Sequence, residues 1–177
     1  MNKSTTIMDN IEEQRIKLEK LKQEFLESNQ KLFKEIVKGF FLQNPTVKLV
    51  AWDQYTPYFN DGETCTFSVN EIFFSTTERN LQDITHIYQI EDDHIIPVSY
   101  YNQSYEDTLE EYVDQPDSWS KSKHGALLEV GKNTYDNCNA FKLFIEKNSD
   151  LMLATFGDHS NVFLTPEEIV VEECSHE

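Results

Sequence analysis

The stretch from Asp9 to Phe41 constrains the fold of this chain most, because only one glycine and no proline interrupt it. It is rich in Glu, Lys, Leu and Gln, which have high helix propensity. We therefore predict one long helix, with Asp9 or Asn10 as its N-terminal cap. Asn44-Pro45 should end the helix, since proline lacks a backbone donor and disfavours helical geometry in the residue before it.

Apolar side chains recur along this segment with the spacing of an amphipathic helix. The predicted apolar face comprises Ile11, Leu18, Leu21, Phe25, Leu32, Ile36, Val37 and Phe40. The alternate heptad positions Gln14, Ser28 and Glu35 are polar, whereas a stable coiled-coil seam is apolar at both positions. Two interpretations stay open: the helix packs on its own domain, at least along its second half, or residues 9–41 form a homodimer.

Charge is divided unevenly along the chain. The whole sequence has 15 Lys+Arg and 32 Asp+Glu, for a net charge of −17, but residues 1–48 hold nine bases and only seven acids. The excess of acid therefore lies in residues 49–177. We predict a helical segment over residues 1–44 and an acidic α+β domain over residues 45–177, which is long enough to bury a core without disulfides.

The acidic domain is predicted to contain a small antiparallel sheet built from hairpins. The turn signal Asn60-Asp61-Gly62 lies within the first hairpin, and Pro166-Glu167-Glu168 lies within the last. The expected strand pairs are Val47–Trp52 with Thr64–Asn70, Ile84–Ile90 with His94–Tyr100, and Val162–Thr165 with Ile169–Glu173.

Helices are predicted between and after these strands. Tyr105–Val113 is expected to be a short acidic helix and Gln115–Gly125 a loop. A helix from Asn139 should be interrupted near Asn148 and continue to Gly157, a natural C-terminal cap. The fold class is therefore α+β: a long N-terminal amphipathic helix, a small antiparallel sheet of hairpins, and a C-terminal helix packed on one face.

The middle of the chain is strongly acidic. No Lys or Arg lies between Arg79 and Lys121, while ten acidic residues fall there. Such a surface repels nucleic acid and anionic membranes and attracts basic proteins. We therefore expect no direct binding to nucleic acid or to membranes. The candidate interaction residues are Tyr105, Glu106, Asp107, Glu110, Glu111, Tyr112, Asp114 and Asp117.

This acidic segment has two interpretations. It is either a solvated face, or its carboxylates imitate the phosphates of nucleic acid and occupy the groove of a basic, nucleic-acid-binding protein. Aromatic residues alternate with the acids, and this composition suits an interface. The second interpretation predicts an acidic protein–protein interaction module.

One segment carries a specific motif, Trp52-x-Gln54-Tyr55-Thr56-Pro57-Tyr58-Phe59-Asn60-Asp61-Gly62, continued by Cys65-x-Phe67-x-Val69. It resembles an uncharacterised family of small proteins found in bacteria and tailed phages. Phe156-Gly157-Asp158-His159, followed by a hairpin and an acidic end, is similar to the C-terminus of the same family. The resemblance covers residues 45–75 and 140–177 and implies a shared hairpin core, with no particular reaction. A phage source would make the acidic segment a candidate inhibitor of a host nucleic-acid enzyme.

The same motif contains a candidate ligand site. Tyr55, Tyr58 and Phe59 are candidates for an aromatic platform, and Asp61 and His159 add residue types used in acid–base and metal sites. The alternative is that the aromatic residues cover the open end of the sheet. No catalytic or phosphate-binding motif occurs, so a non-enzymatic function is favoured, and no cofactor or metal is predicted. A small-molecule-binding protein or an enzyme that uses this hairpin with Asp61 and His159 stays open as the alternative.

The cysteines and the hydropathy bear on the compartment. Cys65, Cys138 and Cys174 are widely separated and form no C-x-x-C pair, so they are predicted to be reduced thiols. No apolar run approaches the length of a membrane span, and the first ten residues lack the apolar region of a signal peptide. We therefore expect a cytoplasmic protein, in the host cytoplasm if a phage encodes it.

Overall fold

The computed structural model describes residues 3–58, 62, 64–79, 81, 95–98, 103–113 and 118–174, with side chains from residue 10 onward except at 118–119. The chain divides into two compact units, Met1–Glu35 and Ile36–Glu177. In the described part of the chain there are four helices and a four-stranded antiparallel sheet, so the predicted α+β class is confirmed.

Helix α1 spans Lys3–Gln43, and the predicted long N-terminal helix is confirmed. The cap prediction is wrong, because Asp9 and Asn10 lie inside the helix. No proline or glycine in the preceding residues stops the helix from extending toward the N-terminus. At the other end, Asn44 terminates α1, and its side-chain amide donates to the carbonyl of Phe40 at 2.8 Å.

The end of α1 packs within the second unit. Phe40 stacks on Phe141 with ring centroids 4.4 Å apart and contacts Phe74 at 6.0 Å. Asn137 also donates from its side-chain amide to the side-chain oxygen of Asn44 at 2.9 Å. The interpretation that the second half of the helix packs on its own domain therefore holds for this part of α1.

The sheet consists of β1 (Leu49–Tyr55), β2 (Ser68–Ser75), β3 (Ser160–Leu164) and β4 (Ile169–Glu173), in the order β2-β1-β3-β4. All neighbouring strands are antiparallel. The inner strands β1 and β3 are almost wholly buried, which suits the apolar runs at residues 49–52 and 162–164. The first and last predicted hairpins are therefore present, although β2 begins four residues later than expected.

Three helices follow the β1–β2 hairpin in the described residues: α2 (Tyr105–Val113), α3 (Ser118–Lys147) and α4 (Ser149–Phe156). Helix α2 has the predicted bounds, and α4 ends at the predicted cap Gly157, whose N–H donates to the carbonyl of Leu153 at 2.9 Å. Helices α3 and α4 both contact β2, in agreement with the predicted packing of C-terminal helices on the sheet.

Two predictions differ from the structure or lie outside it. The loop predicted for Gln115–Gly125 is wrong, since α3 begins at Ser118 and buries Ala126 and Leu127. The predicted strands Ile84–Ile90 and His94–Tyr100 lie largely outside the described residues. Of the described residues there, Ile95 forms a bridge with Ser75 and is buried.

Candidate functional site

Two segments that are distant in sequence meet at one end of the sheet. In β1, the indole N–H of Trp52 donates to the side-chain oxygen of Gln54 at 3.0 Å. The Gln54 amide in turn donates to the carbonyl oxygens of Met152, at 3.2 Å, and of Gly157. Both side chains are fully buried, and buried polar groups are stable only when they are hydrogen-bonded. The Gln54 amide therefore attaches β1 to the C-terminal end of α4.

Asp158 holds the segment that follows β1. Its Oδ1 accepts the backbone N–H of Thr56 at 2.8 Å and that of His159 at 2.9 Å. Burial alone would raise the pKa of Asp158. The hydrogen bonds and the nearby His159 together lower it by more, so the pKa lies below its ordinary value. Asp158 is therefore a carboxylate at neutral pH, with 38% of its side chain exposed.

The backbone of this turn has an unusual conformation. Gly157 has φ 87° and ψ 177°, a region that essentially only glycine occupies. His159 has φ 53° and is the single described residue other than glycine with a positive φ. Its carbonyl accepts the N–H of Cys174 at 2.7 Å. Hydrogen bonds on both sides of His159 thus maintain a conformation that costs about 1 kcal/mol or more.

The turn places His159 against two tyrosines, and we call Tyr55, Tyr58 and His159 the aromatic cluster. The Tyr58 ring lies 4.9 Å from the imidazole, centroid to centroid, with an interplanar angle of 17°. The Tyr55 ring lies 6.4 Å away at 23°. Tyr58 is 78% exposed, so the outer part of the cluster faces water. Phe59 and Asp61, the other candidate ligand residues, lie outside the described residues.

The first unit carries a different surface, on α1. Six large apolar residues there are each 52% to 64% exposed. Ile16 is one of them, and the other five lie along one side of the helix. We call these five the exposed stripe, and they are Ile11, Leu18, Leu21, Phe25 and Leu32. Val37 and Phe40, which the sequence analysis assigned to the same face, are instead buried. The predicted apolar face therefore separates into an exposed stripe and a set of residues that belong to the core.

The acidic candidates on α2 lie on one side of that helix. Glu106, Asp107, Glu110 and Glu111 are exposed, whereas Thr108 is buried and its hydroxyl lies 2.7 Å from that of Tyr135. Lys132 binds both carboxylate oxygens of Glu106 at 2.9 Å. The candidates Asp114 and Asp117 lie outside the described residues.

The two aromatic candidates on α2 have contacts within the domain. The hydroxyl of Tyr105 donates to the carbonyl of Leu127 at 3.1 Å, and its ring meets that of Tyr135 edge to face. Tyr112 is half-buried, with the ammonium group of Lys123 5.9 Å from its ring centroid. Burial raises the pKa of Tyr112. Both tyrosines therefore attach α2 to α3, which leaves the carboxylates as the accessible part of this face.

Chemistry that depends on clustered ligands is not apparent in the described residues. Among the residues that the structure describes, no three His, Cys, Asp or Glu side chains are grouped so that they could hold a metal ion. None of the three cysteines forms a disulfide, and burial raises the pKa of Cys138 far above its ordinary value. None of the helices in the described part of the chain has the length and apolarity that a membrane span requires.

The second unit also contains a cavity that the sequence did not predict. Its volume is about 410 Å³, and its walls include Pro45, Lys48, Glu78, Arg79 and Pro166. The ammonium of Lys48 lies 3.6 Å from the carboxylate of Glu78. Because bases and acids both line it, its charge favours neither an anionic nor a cationic ligand. No local sequence motif could have predicted this cavity, because its lining residues come from three separate segments of the chain.

The fold and these surfaces define an α+β protein with an aromatic cluster, an acidic helix and an exposed apolar stripe. Comparison with protein-family models, curated proteins and solved structures gave no match.

Proposed function

We propose that this protein is a protein–protein interaction module that pairs with a second copy of itself through the exposed stripe of α1. The observation that carries the proposal is the exposure of five large apolar side chains on one helix, each more than half accessible to water. Contiguous exposed apolar patches are uncommon on monomeric proteins, and they often mark a surface that a partner covers. Ile11, Leu18, Phe25 and Leu32 recur every seven residues, and Leu21 fills one of the alternate positions. Two such helices can therefore pack apolar side chains together over part of each heptad.

The faces of α1 support an external partner for the stripe. Leu32 is 54% exposed, whereas the next residue, Phe33, is 1% exposed. Successive residues of a helix are separated by about 100° around its axis, so these two side chains point in different directions. Val37 and Phe40 follow Phe33 at helical spacing and are also buried. Leu32 is therefore left exposed at a point of α1 where its neighbour Phe33 is buried.

The charge of α1 favours a second copy as that partner. Residues 10–32 contain five bases and five acids, whereas the rest of the chain is strongly acidic. Some of these charges pair within the helix, as Arg15 does with Glu12 at 2.7 Å and Lys22 with Glu19 at 3.5 Å. Two such helices can approach without net repulsion, whereas two acidic domains repel each other.

The test is the oligomeric state of the full chain, measured by sedimentation equilibrium. We expect the wild type to be dimeric or larger, and the double variant Leu18→Glu/Phe25→Glu to be monomeric. Lys20→Gln/Lys34→Gln is the matched control, since it makes the net charge equally more negative at exposed positions away from the stripe. A monomeric wild type at high micromolar concentration overturns the proposal, as does a dissociated control.

A second candidate function rests on α2. The carboxylates of Glu106, Asp107, Glu110 and Glu111 lie on one side of this helix, opposite the buried Thr108. Such a face attracts basic groups and releases counterions when it binds them, as a nucleic-acid backbone does. We propose that α2 binds a basic protein, such as a host nucleic-acid-binding protein.

This second proposal predicts salt-sensitive binding that depends on α2. We expect Glu110→Lys/Glu111→Lys to abolish retention of basic proteins from a bacterial lysate, while the wild type loses them steeply as salt rises. This double variant keeps the Glu106–Lys132 ion pair. Glu167→Lys/Glu168→Lys is the matched control, because it makes the same charge change in the β3–β4 turn. If the two variants bind alike, the acidic face of α2 is not the binding surface.

A further inference from the structure

We propose that the aromatic cluster, together with Asp158, is a binding site for the guanidinium group of an arginine side chain on a partner protein. The inference concerns the second unit and does not depend on pairing through α1. It rests on three properties of the site: an exposed aromatic face held in place, a rigid base beneath it, and a negative local charge.

The first property is that Tyr58 is exposed and yet stacked on another ring. A tyrosine that is 78% exposed has little packing to restrain it, yet its ring lies parallel to the imidazole of His159 at 4.9 Å. This stacking leaves the opposite face of the Tyr58 ring available to a ligand. A ring that is already oriented loses less conformational entropy on binding, which increases affinity.

The second property is the rigidity of the base. His159 is held by the hydrogen bond from its N–H to Asp158 and by the one from Cys174 to its carbonyl. The segment leading to Tyr58 is fixed through Thr56, whose N–H binds the same Asp158 oxygen at 2.8 Å. Strained backbone that is maintained in this way is concentrated at functional sites. The positive φ of His159 is consistent with such a role, because in this conformation the imidazole stacks on the Tyr58 ring.

The third property is charge. Neither residues 49–78 nor residues 148–177 contain any Lys or Arg, and these segments supply β1, the aromatic cluster, β3 and β4. Asp158 lies next to the cluster and is partly exposed. Aromatic faces attract cations, and they stack particularly well with the planar, weakly hydrated guanidinium group. Because these segments lack Lys and Arg, only histidine could offer an anionic ligand a positive charge there, and His159 already lies 3.9 Å from the carboxylate of Asp158. The site therefore fits an arginine better than an anion.

The experiment uses the full-length protein and three blocked peptides, Gly-Arg-Gly, Gly-Lys-Gly and Gly-citrulline-Gly. Citrulline has nearly the shape of arginine without its charge. Binding is followed by the NMR shifts of the Tyr58 and His159 ring protons. We expect the arginine peptide to shift both rings and to bind more tightly than the other two. Equal binding of the lysine or citrulline peptide overturns the proposal, and so does the absence of any shift.

Two pairs of variants localise the site. Tyr58→Ala should weaken binding of the arginine peptide about fivefold, while Tyr58→Phe keeps the ring and binds as the wild type does. Asp158→Asn removes the charge but retains an oxygen that can accept the Thr56 and His159 hydrogen bonds. It should weaken binding about threefold at low salt and reduce the effect of added salt. Unchanged affinity in Tyr58→Ala excludes the cluster as the binding site.

Discussion

The side-chain amide of Gln54 donates a hydrogen bond to the backbone carbonyl of Gly157, 103 residues further along the chain. The two residues belong to two segments of distinctive sequence, residues 52–62 and residues 156–159. Several polar residues of these segments form hydrogen bonds that hold this end of the sheet together. Trp52 and Gln54 join β1 to α4, Asp158 fixes Thr56, and Gly157 makes the turn. These motif residues therefore have a structural role: they join β1, α4 and the turn at residues 157–159 at one end of the domain.

The first prediction concerns Gln54. Replacement of Gln54 by Ala leaves the buried indole N–H of Trp52 and the carbonyls of Met152 and Gly157 without this partner. Each buried group that loses its hydrogen bond costs about 1 to 3 kcal/mol. We expect the free energy of unfolding, measured with urea, to fall by about 3 kcal/mol. The exposed Gln43→Ala is the control and should change it by less than about 0.5 kcal/mol; equal effects would contradict the role of Gln54.

The second prediction separates strain from stacking at His159. His159→Ala removes the ring but keeps a side chain at φ 53°, whereas His159→Gly removes both the ring and the strain. We expect the glycine variant to be more stable than the alanine variant by about 1 kcal/mol in urea unfolding. In both variants the Tyr58 ring protons should lose the shifts caused by the stacked imidazole. An alanine variant as stable as the glycine variant would mean that the turn is not strained.

The third prediction compares two glycines of α3. Gly131 has φ 70° and ψ 172° at a kink in the helix, whereas Gly125 shows no such departure and a Cβ there would meet no atom within 4 Å. Gly131→Ala should lower the free energy of unfolding by about 2 kcal/mol. Gly125→Ala should raise it by roughly 0.5 to 1 kcal/mol, because alanine has the higher helix propensity. Thermal unfolding of both variants tests the opposite signs.

The fourth prediction concerns the titration of Asp158. The pKa of this carboxyl is lower in the folded chain than its ordinary value. Its ionised form therefore stabilises the fold at pH above the ordinary value, and this contribution is lost as the pH falls through the lowered pKa. In an NMR titration, the amide resonance of Thr56 should shift with the Asp158 carboxyl at the same midpoint. A midpoint at or above the ordinary value for Asp would contradict the hydrogen-bonded arrangement.

Local sequence patterns predicted several elements because each pattern is complete within a few residues. The bounds of α2, the cap at Gly157 and the last hairpin all rest on such signals. The position of β2 does not follow from a local signal of this kind. Alternation favoured Thr64–Asn70, but pairing with β1 selects Ser68–Ser75, where Ile72 and Phe74 are buried.

Contacts between distant residues account for the other misses. The region before Gly125 looked like a loop, yet α3 extends through it, because burial of Ala126 and Leu127 outweighs the low helix propensity of glycine. Tyr58 and His159 were both candidates from the sequence. Their stacking depends on the pairing of β1 with β3, and no spacing in the sequence specifies that pairing.

The position of β4 has a consequence for behaviour at high concentration. In the described sheet β4 is an outermost strand, and an outer strand offers unpaired backbone groups to other chains. Glu172 and Glu173 lie at its end. Two copies that joined their sheets along β4 would crowd four carboxylates into a strip only five residues long. Fibrillar stacking of this domain through that strand is therefore opposed by its own charge, and neutralising both residues should make the protein more prone to aggregate.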